Sequence, residues 1–151
     1  MPRLMVDAFS DLGFGYGAPR TQILPGIFLG DEGDAMTFDG PWIAVHEQSK
    51  IYIRPNTHWI PIMVGDEGKY PDGYRASREA LDAATSMIRH YQKLGKPVIV
   101  TCQMGIERGP LVMAYFLVRY EYFKNMNDAY ANIKMLRPQI MPRLHWMPRK
   151  A

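Results

Sequence analysis

Val98-Ile99-Val100-Thr101-Cys102-Gln103-Met104-Gly105-Ile106-Glu107-Arg108-Gly109-Pro110 is the stretch that decides the fold. Its first residues form a short β-branched run, the composition of a strand buried on both faces. Beyond it, residues 110–120 are apolar on nearly every side, which predicts a central, buried helix. Pro110 suits the first turn of that helix, where a missing N–H costs nothing. Between strand and helix lie the residues Gln103 to Gly109. A loop of this kind lets successive backbone N–H groups converge on one point, and the helix N-terminus adds free N–H groups and a positive dipole end. Gln103, Met104, Gly105, Ile106, Glu107 and Arg108 are therefore expected to cradle a phosphate-like anion. The same field favours the thiolate of a thiol held inside it, which makes Cys102 the candidate nucleophile. Arg108 brings a planar guanidinium fork that can hold two phosphate oxygens and stabilise transition-state charge. Gly105, midway, permits dihedrals that a Cβ would forbid.

Outward from this segment the pattern is that of one α/β domain. Residues 74–94 place Ala80, Leu81, Ala84, Met87, Ile88 and Tyr91 at helical spacing, with Gly95 as the stop. Asn127 is expected to cap a further helix through Leu136, which Pro138 ends. A short last helix is expected around Leu144, Trp146 and Met147. Upstream, Gln22-Ile23-Leu24 and Ile27-Phe28-Leu29 read as two strands around the turn Pro25-Gly26. Residues 30–41 read as loop with one helical turn. Trp42-Ile43-Ala44-Val45-His46 is a strand candidate, as is 58–64, which Pro61 pushes towards an edge or an end. These elements predict a single mainly parallel central sheet flanked by helices. The glycine-rich residues 10–20 are expected to be irregular, so residues 1–19 are set apart and 20–151 form the domain.

The bulk properties narrow the classes of function. A chain of 151 residues fits one domain and buries a core without staples. No stretch of about 18 uncharged apolar residues occurs, so no membrane span is expected. The N-terminus lacks a long apolar signal core, and one cysteine excludes an internal disulfide framework. A lone thiol suits a reducing compartment, so a cytoplasmic location is expected. The net charge of +3 is too small, and the basic residues too scattered, to point to nucleic acid. His46, His58, His90 and His145 show no metal-ligand spacing and are taken as structural or exposed, so no metal or other cofactor is expected. The methionines are taken as core filling, and so are Tyr115, Phe116, Tyr120, Tyr122 and Phe123, which sit at helical spacing.

Cys102 and Arg108, spaced Cys-x5-Arg after a β-branched strand, resemble the signature loop of the protein tyrosine phosphatase superfamily. The Cys-x-x-Gly-x-x-Arg form is particularly similar to the dual-specificity branch. Ile23-Leu24-Pro25-Gly26-Ile27-Phe28-Leu29-Gly30, then Asp31-Glu32-Gly33-Asp34-Ala35, and Leu136-Arg137-Pro138 also resemble segments of those domains. The resemblance covers roughly residues 20–148. It implies a protein tyrosine phosphatase-like fold and hydrolysis of phosphotyrosine, and of phosphoserine or phosphothreonine, on proteins through a phosphocysteine intermediate. It also implies a general acid on a loop that follows a strand upstream of the cysteine. Asp66 is favoured because it follows the 60–64 segment at once, with Gly65 and Gly68 to let its loop move. Asp72, nearer the helix, and Glu67 remain open.

The sequence also departs from that family. Thr101 stands where a histidine usually precedes the cysteine, which predicts a weaker bias of Cys102 towards thiolate. Gly109 stands where a hydroxyl usually helps the thiolate leave, which predicts slow breakdown of the phosphoenzyme. Glu107 puts a carboxylate in an anion loop; it is expected to point outward and argues against highly charged ligands. Thr101 and Gly109 keep open a non-enzymatic phosphate-binding module; the basic pI permits an RNA 5′-triphosphatase, which Glu107 and the absence of a basic patch oppose; and a sulfur-transferring, rhodanese-like loop is a further alternative.

Overall fold

The computed structural model describes residues 20–47, 55–64 and 75–148. The sheet runs from β1 (Thr21–Leu24) and β2 (Ile27–Gly30) through β5 (Val98–Thr101) to β3 (Trp42–Ala44) and β4 (Thr57–Trp59), in the order β1-β2-β5-β3-β4. Only the β1–β2 pair is antiparallel; β2–β5, β5–β3 and β3–β4 are parallel. This is the single, mainly parallel sheet expected from the sequence. Pro25 and Gly26 form the hairpin, with Gly26 at φ +77°, where a glycine pays no steric cost.

β5 is the centre of the sheet and is buried throughout. Val98 and Val100 pack into the larger core, beneath the helices α2 (Arg78–Lys93), α3 (Arg108–Arg119) and α4 (Met126–Leu136). Ile99 packs on the opposite face with Phe38, Trp42 and Ala44, beside Ala35 of the short helix α1 (Glu32–Met36). A strand covered on both faces has no polar side to show, which is why its sequence is continuously apolar rather than alternating. α3 is the buried helix: Leu111, Val112, Met113, Ala114, Phe116 and Leu117 are all fully buried.

Local chemistry sets the helix ends. α1 starts in a capping box, Asp31 and Asp34 each accepting the other's backbone N–H. α2 is capped by Ser77. It ends with Gly95 at φ +70°, whose N–H donates to the Gln92 carbonyl while Lys96 N–H donates to that of Tyr91. This pairing is a Schellman motif.

Several expectations are corrected. The cap of α4 is Asn125, whose side chain accepts from Asp128 N–H, and Asn127 lies inside the first turn. Asn was the right residue type, but capping needs an extended backbone, and Asn125 has it at φ −149° and ψ 166°. The fourth strand is Thr57–Trp59, not 58–64, because its pairing with β3 ends at Ala44↔Trp59. α3 begins at Arg108, two residues before Pro110. The last helix is one 3-10 turn, Leu144–Trp146. Among the described methionines, Met113 is buried and Met87, Met126 and Met147 pack against the core, but Met36, Met63, Met104, Met135 and Met141 are exposed. Tyr122 is also exposed, whereas Phe116 is core as expected. The expectations for residues 1–19, and for the start of α2 at residue 74, lie outside the described residues.

The capping assignment has a direct test. Asn125→Ala should lower stability to urea denaturation by about 0.5–2 kcal/mol. Asn127→Ala, on the exposed face of the first turn, should stay within about 0.5 kcal/mol of the parent.

Candidate active site

Parallel strands carry their carboxyl ends to one edge, and the loops that leave that edge build the cleft. β5 delivers Cys102 and the loop that follows; β3 delivers His46 and Glu47; β2 delivers Asp31 and Glu32. The cleft is lined by His46, Glu47, Cys102, Gln103, Met104, Ile106, Glu107 and Arg108. Among the expected loop residues, Gly105 does not line it, for a structural reason.

Gly105 faces inward to the body of the domain. It sits at φ +70°, and a Cβ there would lie 2.7 Å from the carbonyl carbon and oxygen of Gly30. Its carbonyl accepts a hydrogen bond from Arg137 Nε at 3.0 Å, and the carbonyl of Ile106 accepts one from Met141 N–H at 2.7 Å. A trans peptide holds its C=O and N–H on opposite sides. Anchoring these two carbonyls to the domain therefore turns the N–H groups of Ile106 and Glu107 the other way, to the cleft side. The loop expected from the sequence is thus held by what grips its outer face.

Arg137 was noticed in the sequence only as part of a resemblance, yet it is the buried support of the loop. It is 1% exposed and also donates from Nη1 to Thr21 Oγ1 at 3.1 Å. Burial pushes its guanidinium pKa down, opposed by the charges of Asp34, Asp31 and Cys102. Asp34 is pushed up to about 6 by burial and by Asp31, with a backbone hydrogen bond and Arg137 opposing.

α3 carries the remaining anion-binding features. Unlike α1, α2 and α4, it has no side-chain cap: Glu107 is the N-cap residue and makes no capping hydrogen bond. Its first-turn N–H groups are thus not met by a cap side chain, the arrangement that suits an anion. The Glu107 carboxylate accepts instead from Arg143 Nε at 2.9 Å. Glu107 is part of the cleft wall, and its partly exposed carboxylate is paired with Arg143.

Arg108 is positioned on three sides. Its Nε donates to the Ile62 carbonyl at 3.0 Å, its Nη2 meets Glu47 Oε1 at 2.7 Å, and its guanidinium lies 5.2 Å from the ring centre of Trp146. Arg143 sits 5.5 Å from the centre of the same ring, so the indole contacts both cations. The contacts to Ile62 and Glu47 use two of the five N–H donors of the fork. Glu47, which the sequence did not single out, also accepts from Val64 N–H at 3.0 Å. Burial pushes its carboxyl up, but the Val64 N–H and Arg108 outweigh that and hold it below the usual range. Glu47 is therefore ionised at neutral pH and ties Arg108 to the segment from which residues 65–74 depart. Asp66, Asp72 and Glu67 all lie outside the described residues.

The sequence alone reads His46 as structural or exposed. It is buried, at 2% exposure, and it lines the cleft beside Cys102. Gly109 is closely packed: a Cβ there would stand 3.5 Å from Cys102 Sγ and 2.7 Å from Leu29 Cδ1. Among the described residues no cluster of acidic, histidine or cysteine side chains could hold a metal ion. No described helix is long and apolar enough to cross a membrane.

The support of the loop by Arg137 is open to measurement. Arg137→Leu leaves Asp31, Asp34 and the Gly105 carbonyl without their buried partner. It should cost about 3–5 kcal/mol of stability in urea denaturation, the usual penalty for removing one side of a buried ionic network.

A family model for the dual specificity phosphatase catalytic domain matches residues 44–149, well over half of the chain. Solved structures share the fold at low identity. Human DUSP28 is 18% identical, with a TM-score of 0.65 over 87% of this chain and 90% of that one. DUSP15 is 21% identical, with a TM-score of 0.67 over 85% of this chain and 82% of that one. OH1 from the Orf virus, described as a tyrosine phosphatase with triple substrate specificity, is 15% identical, with a TM-score of 0.62 over 91% of this chain and 88% of that one. The matched residues take in His46, Glu47, the whole 102–108 loop and the helices packed behind it, and on that extent the chain belongs to the dual-specificity phosphatase family, as a protein-tyrosine/dual-specificity phosphatase, a hydrolase.

Proposed function

We propose that the protein hydrolyses phosphomonoesters on proteins, phosphotyrosine first, through a phosphocysteine formed on Cys102. The observation that carries this is the juxtaposition in one cleft of Cys102, the uncapped start of α3 and the Arg108 fork. The Cys102 thiolate attacks phosphorus, the P–O bond to the substrate breaks, and the leaving oxygen takes a proton from a general acid. Water, giving its proton to the same carboxylate, then attacks phosphorus and releases Cys102 as thiolate with inorganic phosphate. Loop N–H groups and Arg108 hold the non-bridging oxygens through both steps. We assign the acid to Asp66.

The charges around the cleft support a single phosphomonoester over a polyphosphate. Glu47 and Glu107 both stand in its wall, each paired with an arginine. A triphosphorylated RNA end would bring further negative charge against these carboxylates. Comparing phosphate release from a triphosphorylated RNA and from a phosphotyrosine peptide tests this directly, and a faster release from the RNA overturns it.

Cys102→Ser should abolish turnover of an aryl phosphate while keeping phosphate affinity, and Arg108→Ala should damage both. Asp66→Ala should slow turnover by about 10²–10⁴-fold at acidic to neutral pH, the size of a lost general acid. Should Asp72→Ala do this and Asp66→Ala not, the acid is Asp72. If the folded parent protein turns over no aryl phosphate, and Cys102→Ser leaves phosphopeptide binding unchanged, the cleft is a binding module instead. Gly109→Ser places a hydroxyl near Cys102 and should speed the second step. Leu29 must shift to admit it, so the gain in rate should come with a loss in stability.

A further inference from the structure

In the family it resembles, a histidine precedes the cysteine; here that position is Thr101. Thr101 does not face the cleft chemistry. Its hydroxyl accepts from Trp42 Nε1 at 2.7 Å, on the face of the sheet covered by α1. Both side chains are fully buried, so this bond is made away from water.

A histidine reaches the same cleft from the neighbouring strand. β3 and β5 run parallel with Ala44 opposite Thr101, and the N–H of Val45 donates to the Thr101 carbonyl at 2.8 Å. Cys102 and His46 therefore leave the sheet at one edge, one step past β5 and two past β3. Both are buried, and both line the cleft. The imidazole is held on two further sides. Its Nδ1 lies 3.6 Å from Glu32 Oε1, at the start of α1, which follows β2, the other neighbour of β5. Its ring stacks on Trp59, centroids 6.5 Å apart and planes at 30°, and the Trp59 indole donates to the His46 carbonyl at 2.9 Å.

We propose that His46, paired with Glu32, is a positioning residue that stabilises the Cys102 thiolate, so that the task of the histidine absent at position 101 is met in space from β3. A carboxylate beside a buried imidazole favours its protonated form, and an imidazolium beside a thiol favours the thiolate. Among the described residues, the other charged groups at this edge are Glu47, next to His46 in the chain, and Glu107 and Arg108 across the cleft, with Asp31, Asp34 and Arg137 beneath the loop. Arg108 opposes a protonated ring, but its charge is met by Glu47; that of Glu107 is met by Arg143. Glu32 is the carboxylate that the geometry pairs with the imidazole. This proposal rests on the reading of Cys102 as a nucleophile, but its test needs no turnover.

The experiment is the rate of alkylation of Cys102 by iodoacetamide from about pH 5 to about pH 9, which spans the ordinary histidine and thiol ranges. The chain has one cysteine, so the signal is that of Cys102 alone. His46→Gln should move the midpoint up by about one pH unit or more, the scale of one lost charge partner. Glu32→Gln should move it in the same direction and less far. Circular dichroism and a thermal melt establish that each variant is folded. Superimposable profiles for parent and folded His46→Gln overturn the proposal. If His46→Gln does not fold, Glu32→Gln decides: an upward shift supports the pair, and an unchanged midpoint overturns it. Turnover measured on the same samples separates the two failures. A parent that turns over substrate with no shift in the variants refutes the role of His46 alone, whereas a parent without turnover refutes the catalytic reading.

Discussion

A buried guanidinium beneath the cysteine loop is the constraint on which the site depends. Arg137 follows α4, far along the chain from the loop, yet its Nε grips the carbonyl of Gly105 and its Nη1 reaches Thr21 in the first strand. The charges of Asp31 and Asp34, at the start of α1, act on the same group. A buried cation without such partners is costly, and with them it fixes the geometry of everything it touches. Here that includes β1, the start of α1 and the outer side of the cysteine loop. Because a peptide's carbonyl and N–H point opposite ways, holding the outer carbonyls of the loop is the same act as presenting its inner N–H groups.

The same economy of charge governs the cleft. Arg108 is pinned by Ile62, Glu47 and the face of Trp146, and Arg143 by Glu107 and the same indole. Two arginines near one another would repel; two carboxylates and one aromatic ring let them coexist. Among the described residues, each arginine and glutamate of the cleft wall therefore has a partner. Glu47 also holds the Val64 N–H, so the arginine of the cradle and the stem of the 65–74 segment share one anchor.

The loop was legible in the sequence because every part of it is local. A β-branched run, a cysteine, a glycine at a left-handed position, an arginine and a proline-containing helix start fall within thirteen consecutive residues, 98–110. The hairpin was legible for the same reason, since Pro25 and Gly26 are turn residues between short apolar runs. The cap of α4 was misplaced by two positions because Asn125 and Asn127 are alike in kind and only the backbone dihedrals tell them apart. The methionines misled because hydropathy records what a side chain prefers, whereas exposure at Met36, Met63, Met104, Met135 and Met141 records where the chain put it.

The amino-acid sequence by itself determined the sheet-and-helix class and the position of the cysteine loop between β5 and α3. These follow from periodicity, turn chemistry and spacing, which act between near neighbours. Only the tertiary structure decided what stands around the loop. Glu32, His46, Glu47 and Arg137 come from three other segments; the first three reach the edge of Cys102 because parallel strands deliver their carboxyl ends there, and Arg137 because it follows α4, which packs beside β1. Which charges face one another there is a property of strand order and register, and a one-dimensional pattern does not contain it.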